Sequence, residues 1–238
     1  MTLIHALFPS SQPIGSRIKN ILSNPSALFN DDYSNPDYNP PTEYYKTMLA
    51  FHLRGDKAIT PGKVFFLGDS LTQGLPVSSV IKDAVNYGVG TDDTTGLANR
   101  INQYESVKSA KALVIAIGVN DLLIRSNDEI SDNYIELLDA LPPGPLIFCS
   151  LMLPIQESVR SEWYGRSSKR IRELNKRFAA ICENRGHVVI DATTALSDQQ
   201  GELIADYHEG DGLHLASNGY KVWMAVIKEA LDAASNAN

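Results

Sequence analysis

From residue 63 onward the chain alternates short apolar runs with longer amphipathic segments, and this alternation restricts the fold more than any other feature of the sequence. Five runs read as strands, at 63–67, 84–87, 112–117, 146–150 and 187–191. Each is short, rich in β-branched or aromatic residues, and bounded by Gly, Pro or polar turns. Short buried strands separated by helix-length segments predict an α/β fold, a parallel sheet covered by helices on both faces. The plainest helix is expected from about Glu162 to Asn184, where Ile171, Leu174, Phe178 and Ile181 form one apolar stripe and Gly186 supplies a stop. A last helix is expected after Ser217, carrying Val222, Trp223, Val226, Ile227 and Leu231 as core rather than as a cofactor site.

The segment before the first strand follows a different pattern. Up to Pro41 it is rich in Pro, Asn, Ser and Asp, including the run 35–41, and proline restricts both its own backbone and that of the residue before it. Yet Ile14, Ile18, Ile21 and Leu22 recur at helical spacing, and Thr42 is placed to cap a helix carrying Tyr45, Met48, Leu49 and His52. Residues 1–60 are therefore read as an arm with short helices packed on one domain spanning 61–238. Such an arm could also mediate contacts between copies of the chain.

With 43% hydrophobic and 21% charged residues, the composition is that of a folded soluble body. A net charge of −7 opposes nucleic-acid binding, which needs unbalanced Lys and Arg. The one basic run, Arg166, Lys169, Arg170, Arg172, Lys176 and Arg177, is interleaved with Glu162, Glu173 and Glu183 and reads as a solvated helix face. Cys149 and Cys182 stand in apolar surroundings and read as small buried hydrophobes rather than a disulfide framework. No stretch approaches the ~18 apolar residues of an integral membrane segment, and no basic leader precedes an apolar run, so the expected location is the cytoplasm unless a signal peptide has been removed.

Reactive groups in open parallel sheets collect at the carboxyl ends of the strands. After the first strand comes Gly68-Asp69-Ser70-Leu71-Thr72, where a Ser in a strand-to-helix turn presents its hydroxyl and its own N–H together. An isolated Gly-Asp-Ser is also an ordinary capped turn. Behind the second strand, the Gly90/Thr91 turn can offer a main-chain N–H. After the third, Asn120 in Gly118-Val119-Asn120-Asp121 can offer its amide. Near the C-terminus, Asp211-Gly212-Leu213-His214 puts a carboxylate where it can hold Nδ1–H of the imidazole and leave Nε2 to accept a proton. His208 is the rival base, without an acid at the same spacing ahead of it. Asp69 and Asp121 read as braces of their loops.

The ordered set of these blocks resembles the GDSL esterase/lipase family, also called SGNH hydrolases, from about Val64 to the final helix. The resemblance implies a three-layer α/β/α flavodoxin-like fold with a five-stranded parallel sheet in the order 2-1-3-4-5, a shallow open site, and no metal or other cofactor. It matches Ser70 to the nucleophile, Asp211 and His214 to the acid and base, and Ser70, Asn120 and Gly90 or Thr91 to the oxyanion hole. One block departs from the family: counting on from Asn86 puts Thr91 where a Gly is usual. The activity implied is hydrolysis of a small-molecule ester, short-chain carboxylic esters first, then O-acetylated carbohydrate, lysophospholipid or thioester. It should fall on the acidic side as His214 gains a proton. An inactive module that binds acylated ligands is the alternative of a different class. Met152, Leu153, Pro154, Ile155, Trp163 and Tyr164, after the fourth strand, either line a pocket or pack as a connector.

Overall fold

The structure is a computed structural model that describes residues 42–159 and 166–236. Expectations for the helical spacing of Ile14 to Leu22, and for Glu162, Trp163 and Tyr164, lie outside the described residues. The described chain runs α1 (Glu43–Asp56), β1 (Val64–Gly68), α2 (Ser70–Gln73), α3 (Val77–Val80), β2 (Ala84–Gly88), α4 (Thr94–Ile101), β3 (Ala112–Ala116), α5 (Asn127–Asp139), β4 (Leu146–Ser150), α6 (Ser168–Glu183), β5 (Val188–Ile190), α7 (Thr193–Leu196) and α8 (Ser217–Asn236).

The five strands form one parallel sheet in the order β2-β1-β3-β4-β5. Gly68 at the end of β1 stands level with Gly88 of β2 and Ala116 of β3, so the loops that follow all three strands leave one rim. Successive strand residues point to opposite faces, and two cores result. On one face Phe65, Leu67, Leu113, Ile115 and Cys149 pack under α4, α5 and α6, with Leu49 and Leu53 of α1 against them. On the other, Val64, Phe66, Val114 and Phe148 pack under α2, α3, α7 and α8, whose Trp223, Ile227 and Leu231 are buried there. The result is the three-layer arrangement expected.

The local signals act as their chemistry dictates. Thr42 caps α1 with its hydroxyl accepting from Tyr45 N–H. Ser126 and Glu129 form a reciprocal capping box at the head of α5. The helix expected from Glu162 begins instead at Ser168, because Ser167 is extended and its side chain accepts from Arg170 N–H. It stops where expected, as the N–H groups of Gly186 and His187 fold back onto Glu183 and Cys182.

The basic run ahead of and along this helix divides. Lys169, Arg172, Lys176 and Arg177 are exposed, as a solvated face requires, but Arg166 is buried against the loop after β3. Cys149 and Cys182 are both buried free thiols. Met152, Leu153 and Ile155 belong to the cores and so serve as a packed connector.

Candidate active site

Ser70 opens α2 directly after β1, with its N-cap Asp69 accepting from Leu71 N–H at 2.9 Å. The turn is tight: a Cβ on Gly68 would run into the Ala116 carbonyl and the Thr72 hydroxyl, so glycine is needed for β1, α2 and β3 to meet this closely. Burial disfavours the Asp69 carboxylate and pushes it up to about 6, against the Leu71 N–H and the charges of His214 and Arg166.

Ser70 Oγ lies 3.1 Å from His214 Nε2, across 144 residues of chain. On the far side of the ring, His214 Nδ1 lies 2.6 Å from Asp211 Oδ2, and Asp211 Oδ1 accepts from Leu213 N–H and His214 N–H, both at 2.9 Å. Burial would raise Asp211, but the His214 bond and charge and these two amides outweigh it and hold the carboxyl down to about 2. An ionised carboxylate only accepts, so Nδ1 carries the proton and Nε2 faces Ser70 as an acceptor. Ser70 and His214 keep a small opening to solvent, with Ser70 8% exposed as a residue and the His214 side chain 17% exposed.

His208 is engaged elsewhere. Its Nδ1 accepts from Gly210 N–H and Gly212 N–H at 3.0 Å, which leaves its Nε2–H for Gln156 Oε1 at 2.7 Å. It thus braces the turn that carries Asp211.

The two residues of the second loop differ sharply. Gly90 N–H donates to Gln73 Oε1 at 2.5 Å. Thr91 has φ of 70°, in the left-handed region, and its N–H makes no hydrogen bond among the described residues. Its hydroxyl is buried without a partner as well. In the third loop, Asn120 Nδ2 donates to the Asp92 carbonyl at 2.9 Å, tying that loop to the second. Its Oδ1 accepts from Arg166 Nη2 at 2.6 Å, and Arg166 Nε donates to the Val119 carbonyl at 3.0 Å. Asp121 accepts from Thr94 N–H at 3.0 Å and Thr94 Oγ1 at 2.5 Å, and pairs with Arg125 at 2.9 Å, so it braces as expected. Burial and the neighbouring Asp93 push its carboxyl up to about 7.

Two arginines of this rim carry no signal in the sequence. Arg100 has a side chain of 0% exposure and donates to Asp92 Oδ2 at 2.8 Å, the Tyr104 hydroxyl at 2.9 Å and the Gly68 carbonyl at 3.1 Å. It joins the end of β1 to the loop after β2. Arg166 reads in sequence as one more member of a charged helix, and nothing in its spacing predicts a partner 46 residues away.

Two cavities flank the rim without being lined by Ser70 or His214. One of about 1060 Å³ lies between α6 and the chain after β5, and one of about 220 Å³ lies behind Thr91. Among the described residues no helix is long and apolar enough to cross a membrane, and no group of three or more His, Cys, Asp or Glu could hold a metal ion.

The arrangement can carry nucleophilic chemistry, with a hydroxyl, an imidazole of fixed tautomer and a carboxylate in line, and N–H donors on the loops beside them. Comparison with known proteins points the same way. The model of the GDSL-like lipase/acylhydrolase family matches residues 66–222. No curated protein matches the chain in sequence. Among solved structures, a Streptococcus pneumonia protein assigned as a platelet activating factor is similar at TM-score 0.73 and 22% identity, over 79% of this chain and 93% of its own. A GDSL-like lipase from Bacteroides thetaiotaomicron is similar at 0.67 and 18%, over 78% and 98%. A catalytic mutant of an acetylxylan esterase from Geobacillus stearothermophilus is similar at 0.58 and 16%, over 72% and 95%. At such identities the likeness is one of fold.

Proposed function

Because the chain belongs to the GDSL-like lipase/acylhydrolase family, we propose that it is a serine ester hydrolase that cleaves small or short-chain carboxylic esters through an acyl-enzyme on Ser70. The observation that carries this reading is the 3.1 Å approach of Ser70 Oγ to His214 Nε2, with Asp211 held ionised behind the ring. Ser70 Oγ bonds to the ester carbonyl carbon as its proton passes to Nε2. The oxyanion so formed collapses, the ester C–O bond breaks, and His214 returns the proton to the leaving alcohol. Water then attacks the acyl-enzyme by the same route, giving up a proton to His214, which restores it to Ser70.

The oxyanion is received by the N–H groups of Ser70 and Thr91 and by the Asn120 amide. Thr91 serves rather than Gly90, because the Gly90 N–H is already spent on Gln73. Deleting one such donor typically costs about 10²–10³ in kcat. A general base must be unprotonated, so activity falls on the acidic limb of the pH profile.

Ser70→Ala is expected to abolish turnover of a nitrophenyl ester, by at least about 10³-fold, and to block labelling by a fluorophosphonate. Turnover that survives this substitution overturns the reading. The smaller cavity behind Thr91 carries the side chains of Asn99 and Gln103 in its lining, and such hydrogen-bonding groups favour O-acetylated carbohydrate as a second reading. Esters of graded acyl length assayed beside acetylated sugars separate the two. Ligand binding without turnover of any ester would point to a binding module.

A further inference from the structure

We propose that Arg166 is a positioning residue for oxyanion stabilisation, which orients and polarises the Asn120 amide. The proposal rests on the acyl-transfer reading above. Arg166 stands just ahead of α6 with 5% exposure, and a guanidinium keeps its charge at any ordinary pH. Such a group is buried only where its donors are used, and two of them go to adjacent residues of one loop: Nε to the Val119 carbonyl and Nη2 to Asn120 Oδ1. The first fixes the main chain entering Asn120, and the second fixes its side chain.

The two ends of a carboxamide are almost alike in shape and opposite in hydrogen-bonding sense. Arginine only donates and a main-chain carbonyl only accepts, so Arg166 on one side and the Asp92 carbonyl on the other admit a single orientation, with Oδ1 toward the cation and Nδ2 toward Asp92. Nδ2 has a second hydrogen beyond the one given to Asp92, and that is the donor for the oxyanion. Turned the other way, the amide would present an oxygen lone pair to a developing negative charge. A charged donor on Oδ1 also draws electron density from the amide, which strengthens the remaining N–H. Donors and charge are therefore in place before the reaction starts, which is what oxyanion stabilisation requires.

The test is a double-mutant cycle with Asn120→Ala, read as kcat, KM and melting temperature on a nitrophenyl ester. Arg166→Gln is expected to lower kcat by about 10–100-fold with KM changed by no more than about two-fold, since a misplaced donor weakens only transition-state binding. In the Asn120→Ala background the same change should cost less than about two-fold, because the group it acts through is gone. Arg166→Lys keeps the charge but not the fork, and should fall between wild type and Arg166→Gln. If Arg166→Gln does not fold, the cycle is run with Arg166→Lys. Costs that multiply across the cycle, or a raised KM with kcat intact, overturn the proposal. Ser70→Ala in the same assay separates the two failures: surviving turnover overturns the acyl-enzyme reading, whereas abolished turnover with multiplying costs overturns the role of Arg166 alone.

Discussion

Thr91 holds a φ of 70°, a left-handed backbone that is a true outlier for a β-branched residue and costs about 1–3 kcal/mol. Its hydroxyl is buried without a partner among the described residues, which adds a desolvation cost. What the strained geometry leaves is an N–H uncommitted beside Ser70's loop, while the preceding N–H is tied to Gln73. The role assigned to Thr91 needs only its main chain. Thr91→Gly should therefore keep kcat within a few-fold and stabilise the fold by roughly 1 kcal/mol, visible as a rise of about 2–4 °C in thermal unfolding. A large loss of kcat would mean that the side chain takes part.

Asp211 allows a sharper expectation. Its Oδ1 is occupied by two main-chain N–H groups, so an Asn there must keep its oxygen on them and turn its NH₂ toward His214. The imidazole would then carry its proton on Nε2 and could not accept one from Ser70. Asp211→Asn should lower kcat by about 10⁴-fold with KM little changed.

The elements were largely written in the apolar runs, and the differences have local causes. All five strands occur within a residue or two of their expected limits, because runs such as Val64–Gly68 are short, rich in β-branched or aromatic residues, closed by Gly, and buried throughout. The same uniform burial hides which face each residue meets, since a sheet covered on both sides needs no alternation. The Ser70, Asp211 and His214 set was legible because each member sits in a short local pattern. Arg100 and Arg166 were not, because their bonds to Gly68 and Val119 go to main-chain carbonyls, which any residue could offer, and the spacing of Arg100 to Asp92 or of Arg166 to Asn120 follows no local pattern. Helix α6 shows how an element supports the site. Phe178 stacks on Tyr134 of α5 with ring centroids 3.8 Å apart, and its edge lies against Gly118, at the start of the loop that carries Asn120. Phe178→Ala should cost about 3–5 kcal/mol in denaturant unfolding. It should also lower kcat, as the loop loses the surface it rests on.

At the scale of the molecule, α1 is tied to the body by polar contacts as well as by packing. The Asp56 carboxylate accepts from the Tyr87 hydroxyl at 2.7 Å and from Glu105 N–H at 2.7 Å. His52 stacks on Tyr87 and contacts the Tyr104 hydroxyl at 3.3 Å, in a cluster that also holds the Arg100 guanidinium. Burial, with the charge of Arg100, brings the His52 imidazole down to about 4. Its ordinary value is about 6.5, so between the two the unfolded chain binds the proton more readily and the folded state loses stability as pH falls. Asp69 acts in the opposite direction: its folded carboxyl titrates near 6 against an ordinary value of about 3.9, so the folded state gains stability as pH falls through 6. Two substitutions should therefore give mirror-image results in melting temperature measured from pH 7.5 to 4. Relative to wild type, His52→Gln should become more stable as the pH drops below about 6.5. Asp69→Asn, whose oxygen can still cap Leu71, should become less stable over the same range. Parallel curves for either variant would show that its group does not titrate differently on folding.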